Sequence, residues 1–393
     1  MANREVNPIV PPPITRQFVA TESATGRVNP AGYHPCQGLY HYSEGSTPEV
    51  AFIATHYNVD FSEHYLAPYL AERGFGFLGW NTRYRGAESW FLLEHALIDI
   101  GAGVRWLREE AGVRTVVILG NSGGGSLMAA YQSQATDPNI EAARGLSLPA
   151  AVLDLPPANF YVSLQAHLGR PEVLTAWMDP SVTDENDPLS VDPALDMYNA
   201  ANGPPYPAKF VTRYRTAQEA RNHRITAWAI EELDRCSAAG AFDRNFNVHR
   251  VWADLRLLDG TIDPSDRPLN RCYTGDPKWA NASPYGIGAS NTLRTWLSMW
   301  SLTESHCRGE PHLQRISVPS LVIQSTADTG VFPSDARTIH QTLGATDKQL
   351  QLIDGDHYLE SPPAARHDVA AAIAVWLQDR VPTAVPVSRT RQN

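Results

Sequence analysis

No apolar run in the chain reaches the roughly 18 residues that a helix needs to cross a bilayer. The amino-terminal stretch Met1-Ala2-Asn3-Arg4-Glu5-Val6-Asn7 has neither the apolar core nor the small-residue cleavage site of a secretory signal, so a cytoplasmic location is expected. Cysteine is scarce. The four thiols, Cys36, Cys236, Cys272 and Cys307, show no Cys-x-x-Cys spacing, which argues against a zinc site and a disulfide framework and leaves reduced thiols as the expectation. The 13 histidines include no His-Glu-x-x-His pattern or other compact ligand set, so neither a metal nor another cofactor is expected. Charged residues make up only 19% of the chain, and the formal net charge is -10. An acidic surplus argues against nucleic acid or an anionic membrane as partner, because both reward basic patches. No internal repeat or low-complexity tract is present.

What the chain does have is material for a large core: 43% of its 393 residues are hydrophobic. That length exceeds one average domain, so two lobes, or one domain carrying an insertion, are expected. The most informative segment is Val116-Val117-Ile118-Leu119-Gly120-Asn121-Ser122-Gly123-Gly124-Gly125. An apolar, β-branched run enters Gly-x-Ser-x-Gly, and a helical pattern follows from Ser126 to Gln134. A strand that turns sharply into a helix must hold its apical serine in a strained backbone conformation, with strand and helix too close for Cβ atoms at Gly120 and Gly124. Ser122 is the candidate nucleophile.

A serine hydroxyl is weakly nucleophilic at neutral pH and needs a base to accept its proton, with an acid to orient that base. Pro319 to Gln324 reads as a buried strand, and the loop leaving it carries Asp328. A second strand, Gln349 to Ile353, precedes Asp354-Gly355-Asp356-His357, after which Ala364 to Gln378 reads as a closing amphipathic helix. His357 is the candidate base and Asp328 the candidate acid. Asp154, at the end of an expected strand from Ala150 to Leu153, is the alternative acid; Asp354 and Asp356 are also close to His357 in sequence.

With Gly-Asn-Ser-Gly-Gly, an acid loop running through Phe332-Pro333, and Gly-Asp-His in this chain order, the sequence resembles the α/β-hydrolase superfamily in its serine-nucleophile branch. The likeness covers most of residues 45 to 155 and 315 to 380. It implies an α/β fold in which a mostly parallel twisted sheet has helices on both faces. It also implies an oxyanion hole: one N–H from Gly123, and one from the loop Thr55-His56-Tyr57-Asn58-Val59 after the strand Glu49 to Ala54. Members of the superfamily usually carry His-Gly there, whereas this chain has His56-Tyr57, so the second donor is Tyr57 or Asn58, and the Tyr57 side chain is expected to shape the pocket. His56 is expected to brace the loop.

Glu63 to Arg73 and Leu92 to Glu110 read as helices flanking a strand from Phe75 to Trp80, and this alternation predicts a parallel sheet with its site at the strands' carboxyl ends. The stretch from Ser122 to Asp328 is longer than one helix and one strand require. Residues 15–155 and 311–381 are therefore assigned to the hydrolase core and 156–310 to an inserted, mostly helical cap, including Ala208 to Cys236 and Asn291 to Thr303. Residues 1–14, with Pro11-Pro12-Pro13, read as an extended arm, and 382–393 as a tail.

The cap holds six of the ten tryptophans, Trp177, Trp228, Trp252, Trp279, Trp296 and Trp300. Individually they are expected to pack the cap; together they favour an apolar or aromatic pocket. Arg213, Arg215, Arg221 and Arg224 are read as a solvated helix face, with recognition of a substrate carboxylate as the alternative. These readings lead to a serine hydrolase for the ester of a moderately large hydrophobic or aromatic acid. The elbow also resembles that of hydrolases that cleave carbon–carbon bonds in ring-cleavage diketones, and a non-catalytic ligand-binding relative is the third reading. A homodimer is the expectation from base rates alone.

Overall fold

The computed structural model describes residues 13–25 and 35–381. The tail assigned to 382–393, and all but the last two residues of the arm assigned to 1–14, lie outside them. The central sheet contains β1 (Ile14–Thr21), β2 (Cys36–Ser43), β3 (Val50–Ala54), β4 (Gly76–Asn81), β5 (Thr115–Asn121), β6 (Phe160–Leu164), β9 (Ser320–Ser325) and β10 (Lys348–Ile353). A separate two-stranded ribbon is formed by β7 (Asn245–Asn247) and β8 (Ser290–Thr292). The eight strands lie in the order β1-β2-β4-β3-β5-β6-β9-β10. β2 runs antiparallel to both of its neighbours, and β4 through β10 are parallel.

The central strands β3, β4, β5, β6 and β9 are buried along nearly their whole length because both faces of the sheet are covered there. Ile53 and Ile118 point into one core, where helices Leu93–Glu109 and Gly124–Thr136 pack through Leu97, Ile100, Val104 and Leu127. Phe52, Val117 and Leu119 point into the other, under helices Ala67–Ala71 and Ala365–Gln378 with Val369, Ile373 and Trp376. The alternation along β3 and β5 follows the two-residue period of a strand.

From β3 the chain moves outward to β4 and then returns across β3 to β5. The loops after β3 and β5 therefore diverge and leave a crevice at the strands' carboxyl ends, where the connection changes direction.

Several expected boundaries move. The segment expected as a strand from Ala150 to Leu153 is a 3₁₀ turn, Ala150–Asp154, lying between Pro149 and the Pro156-Pro157 pair, which removes backbone donors that a strand would need. β6, which lies beyond the expected cap boundary at 156, pairs with β5 and β9 and belongs to the core, so the insertion starts after residue 164. The expected helix from Glu63 to Arg73 shortens to Ala67–Ala71 because the preceding residues are held in turns. That from Asn291 to Thr303 is broken into β8, one helical turn at Leu293–Thr295 and a π-helical turn at Trp296–Trp300.

The insertion is organised by the long helix Ala208–Ala238, which buries Phe210, Tyr214, Gln218, Ile225, Ala229 and Leu233 at helical spacing. Its amino-terminal part packs on Met197, Tyr206, Ala253 and Leu255. Trp177, Trp252, Trp296 and Trp300 join the same core as Ile53 and Ile118, so the cap and the sheet share packing. Among the described residues, no helix is long and apolar enough to cross a membrane.

Candidate active site

Ser122 stands directly after β5 with φ +55°, in the left-handed region that side chains other than glycine rarely adopt. Such a conformation costs about 1–3 kcal/mol and persists only where its surroundings enforce it. The surroundings do so here. The Ser122 N–H donates to Leu164 O and Gln165 O at 3.2 and 3.1 Å, and Ser122 O accepts from Gly125 and His167 N–H, both at 3.1 Å. A Cβ on Gly120 would come within 2.8 Å of Gly125 Cα, and one on Gly124 within 2.2 Å of Thr55 O, so the close approach expected at both glycines is present.

His357 lies in the loop after β10, and Asp328 in the loop after β9. His357 Nδ1 donates to Asp328 Oδ2 at 2.7 Å, while Asp328 Oδ1 accepts the Gly330 and Val331 N–H groups at 2.9 and 3.0 Å. With both oxygens engaged, the fully buried carboxylate is held in one orientation. Asp154 is elsewhere. Its side chain is 89% exposed and paired with Arg105 at 2.8 Å. Asp356 serves its own turn, with Oδ1 accepting from Tyr358 and Glu360 N–H.

Ser122 and His357 line one cavity of about 470 Å³. Phe61, Trp177, Trp252, Tyr273, Ile287 and Tyr358 contribute apolar or aromatic surface to it. Two of the six cap tryptophans thus face the cavity, stacked on each other with ring centroids 4.6 Å apart. Trp296 and Trp300 are buried in the core, and Trp228 and Trp279 are exposed.

In the loop after β3, Asn58 and Val59 both donate their N–H to His56 Nδ1 at 3.4 Å, so His56 braces this loop. Burial, and secondarily the Arg170 charge, push the His56 pKa down to about 3, keeping the ring neutral. The Tyr57 side chain does not shape the cavity. It is fully buried beneath the loop, with its hydroxyl 3.0 Å from Ser126 Oγ and its ring 4.9 Å from that of Phe91, because the apolar interior offers the larger contact area.

Arg213, Arg215, Arg221 and Arg224 do not line the cavity. Arg215 pairs with Asp254, and Arg221 is not on a solvated face at all: it is fully buried and forks onto Glu185. The arginine at the cavity is Arg170, the first residue of helix Arg170–Trp177. Nothing in Gly169-Arg170-Pro171 marks it beforehand, beyond a helix-starting Gly-x-Pro pattern.

Sequence reading also missed Gln165 and Tyr273. Gln165, at φ +44° after β6, donates to Asp356 O at 2.8 Å and so ties the serine's neighbouring strand to the histidine loop. Tyr273, from the cap, places its hydroxyl 3.1 Å from His357 Nδ1 and 3.5 Å from Asp328 Oδ1. Among the described residues, no group of three or more His, Cys, Asp or Glu side chains is assembled to hold a metal.

No family model matches the sequence, and no curated protein matches it. Solved structures do. DcsB, determined in complex with its substrate analogue, is similar over 94% of this chain and 100% of its own, with TM-score 0.53 and 10% identity. The α/β hydrolase GrgF from Penicillium sp. sh18 aligns over 93% and 97% of the two chains, with TM-score 0.47 and 9% identity. The esterase domain of a Rhodothermus marinus protein aligns over 93% and 98%, with TM-score 0.45 and 12% identity. At these identities the likeness is one of fold. The chain has the α/β-hydrolase fold, in keeping with its strand order and with the strand, tight turn and helix around Ser122.

Proposed function

We propose that this protein is a serine hydrolase that cleaves the carboxylic ester of a moderately large hydrophobic or aromatic substrate. The observation that carries the reading is the meeting of Ser122, strained at φ +55°, with the Asp328-oriented His357 in one cavity. A strained serine and an imidazole fixed through Nδ1 have the chemistry of an activated nucleophile and its base.

Ser122 Oγ attacks the ester carbonyl carbon and passes its proton to His357 Nε2. The carbonyl π pair moves onto oxygen, where Gly123 N–H meets it. Asn58 N–H is engaged by His56, so the Tyr57 N–H is the donor assigned from that loop. When the tetrahedral adduct collapses, the C–O bond to the alcohol breaks, and the imidazolium protonates the departing oxygen. His357 then takes a proton from water as it attacks the acyl-enzyme, and returns that proton to Ser122 Oγ as the acid leaves. The aromatic surface of Trp177, Trp252, Tyr273 and Tyr358 supports an aromatic or hydrophobic group on the ester.

The test is hydrolysis of a panel of p-nitrophenyl and aryl-carboxylate esters graded by acyl size, with wild type beside Ser122→Ala. Turnover by wild type that disappears in the folded variant is expected. Equal turnover in both would end the proposal.

A further inference from the structure

Gly123 has an ordinary right-handed helical conformation, φ -57° and ψ -33°, which any residue can adopt. Its backbone therefore gives no reason for glycine. Space does. A Cβ at this position would lie 2.5 Å from His56 Nε2 and 2.7 Å from Arg170 Nη1. The missing side chain leaves room for two nitrogen donors beside the residue that follows Ser122.

Both donors are held in place and lack a protein acceptor on that side. His56 uses Nδ1 as acceptor for two loop N–H groups, so the neutral ring carries its proton on Nε2, for which no acceptor exists among the described residues. Arg170 is 1% exposed, its Nη2 donates to Glu88 Oε1 at 2.7 Å, and its guanidinium carbon sits 4.8 Å from the Tyr57 ring and 4.5 Å from the Trp300 ring. These contacts clamp the planar group. Nη1, which faces Gly123, donates to no protein group among the described residues.

We propose that Arg170 Nη1 and His56 Nε2 are side-chain donors to the oxyanion formed when Ser122 attacks, acting beside the Gly123 N–H. The proposal rests on the acyl-transfer reading of the site. A permanent substrate carboxylate is the poorer match for Arg170, because Glu88 already balances its charge and Asp60, Glu63 and Glu88 all line the cavity. A transient charge on the carbonyl oxygen suits a clamped, water-poor donor pair, since preorganised donors stabilise developing charge without reorganising.

The experiment compares wild type, Arg170→Gln, Arg170→Lys and Gly123→Ala on the best ester of the panel. It adds two ligands: an aryl trifluoromethyl ketone, which forms a hemiketal oxyanion with the serine, and the matching alcohol, which cannot. Arg170→Gln is expected to lower kcat/KM and ketone affinity together by about 100-fold, with alcohol affinity within about threefold of wild type. Arg170→Lys should recover part of this loss. Gly123→Ala keeps its N–H but displaces both side chains, so it should lose ketone affinity to a similar degree.

Unchanged ketone affinity in folded Arg170→Gln overturns the proposal, as does an equal loss for ketone and alcohol. If circular dichroism shows Arg170→Gln unfolded, Gly123→Ala decides alone, and unchanged ketone affinity there overturns it. Hemiketal formation is read directly by ¹⁹F resonance and does not require turnover. Failure of the underlying reading is a separate result: turnover that survives Ser122→Ala, or a ketone that forms no hemiketal with wild type.

Discussion

Tyr273, carried by the cap, lies against His357 of the core with ring centroids 4.3 Å apart and its hydroxyl 3.1 Å from Nδ1. The same hydroxyl is 3.5 Å from Asp328 Oδ1, so a cap residue touches both members of the histidine–carboxylate pair. The placement of Tyr273 thus bears directly on the geometry of the His357 ring.

Tyr273→Phe removes this hydroxyl and keeps the ring contact. The contact to the carboxylate is long, so a modest loss is expected: kcat lower by about 3- to 10-fold. Tyr273→Ala should lose more, because the ring that packs against His357 goes as well. Steady-state kinetics on the best ester checks the order. Equal activity of wild type and Tyr273→Ala would show that the cap contact is irrelevant to the base.

The choice of acid is equally open to measurement. Asp328→Asn leaves the hydrogen-bonding partner of His357 in place but favours the wrong ring tautomer, and kcat should fall roughly a thousandfold or more. Asp154→Asn removes only an exposed ion pair with Arg105, so its activity should stay within about twofold of wild type and its stability within about 1 kcal/mol. The opposite pattern would reassign the acid.

The strain at Ser122 predicts an inequality in stability between two variants at that position. Glycine accepts φ +55° without a Cβ clash, whereas alanine retains the clash. Ser122→Gly should therefore be more stable than Ser122→Ala by about 1 kcal/mol in urea unfolding, despite its larger unfolded-state entropy. An alanine variant at least as stable as the glycine variant would argue that the elbow is unstrained.

His64 links the elbow to acid stability. Nδ1 accepts the Leu66 N–H, and Nε2 is 3.2 Å from Asn121 Oδ1, beside Ser122. Burial lowers its pKa from 6.5 to about 4, the Asn121 contact opposing the shift. Between pH 6.5 and about 4 the unfolded ring binds a proton that the folded one refuses, so this contribution is complete above pH 6.5 and is lost as pH falls. The slope should be on the order of 1 kcal/mol per pH unit for this ring. Urea midpoints at several pH values for wild type and His64→Gln test it, with a shallower pH dependence expected in the variant.

Much of this was open to inference from local pattern. The β-branched run into Gly-Asn-Ser-Gly-Gly could form little except a strand, a tight turn and a helix, because the glycines sit where neighbouring backbone leaves no room for a Cβ. Asp328 and His357 were legible for a related reason. Each lies a few residues beyond a short strand, and in a parallel sheet the residues just past such strands collect at one edge. The boundary of the insertion was misjudged because β6 is only five residues long and follows a proline-rich turn that resembles a loop.

What the chain alone determined was the candidate trio Ser122, His357 and Asp328 and the sheet whose strand ends carry them, since all of these follow from local periodicity and chain order. Tertiary structure decided the rest: that Arg170 rather than Arg213, Arg215, Arg221 or Arg224 reaches the cavity, that Tyr57 turns into the core, and that Tyr273 touches His357. These placements join residues tens to hundreds of positions apart. They depend on which buried charge finds a partner and which ring fills a gap, and such competition among distant groups leaves no periodicity in a sequence.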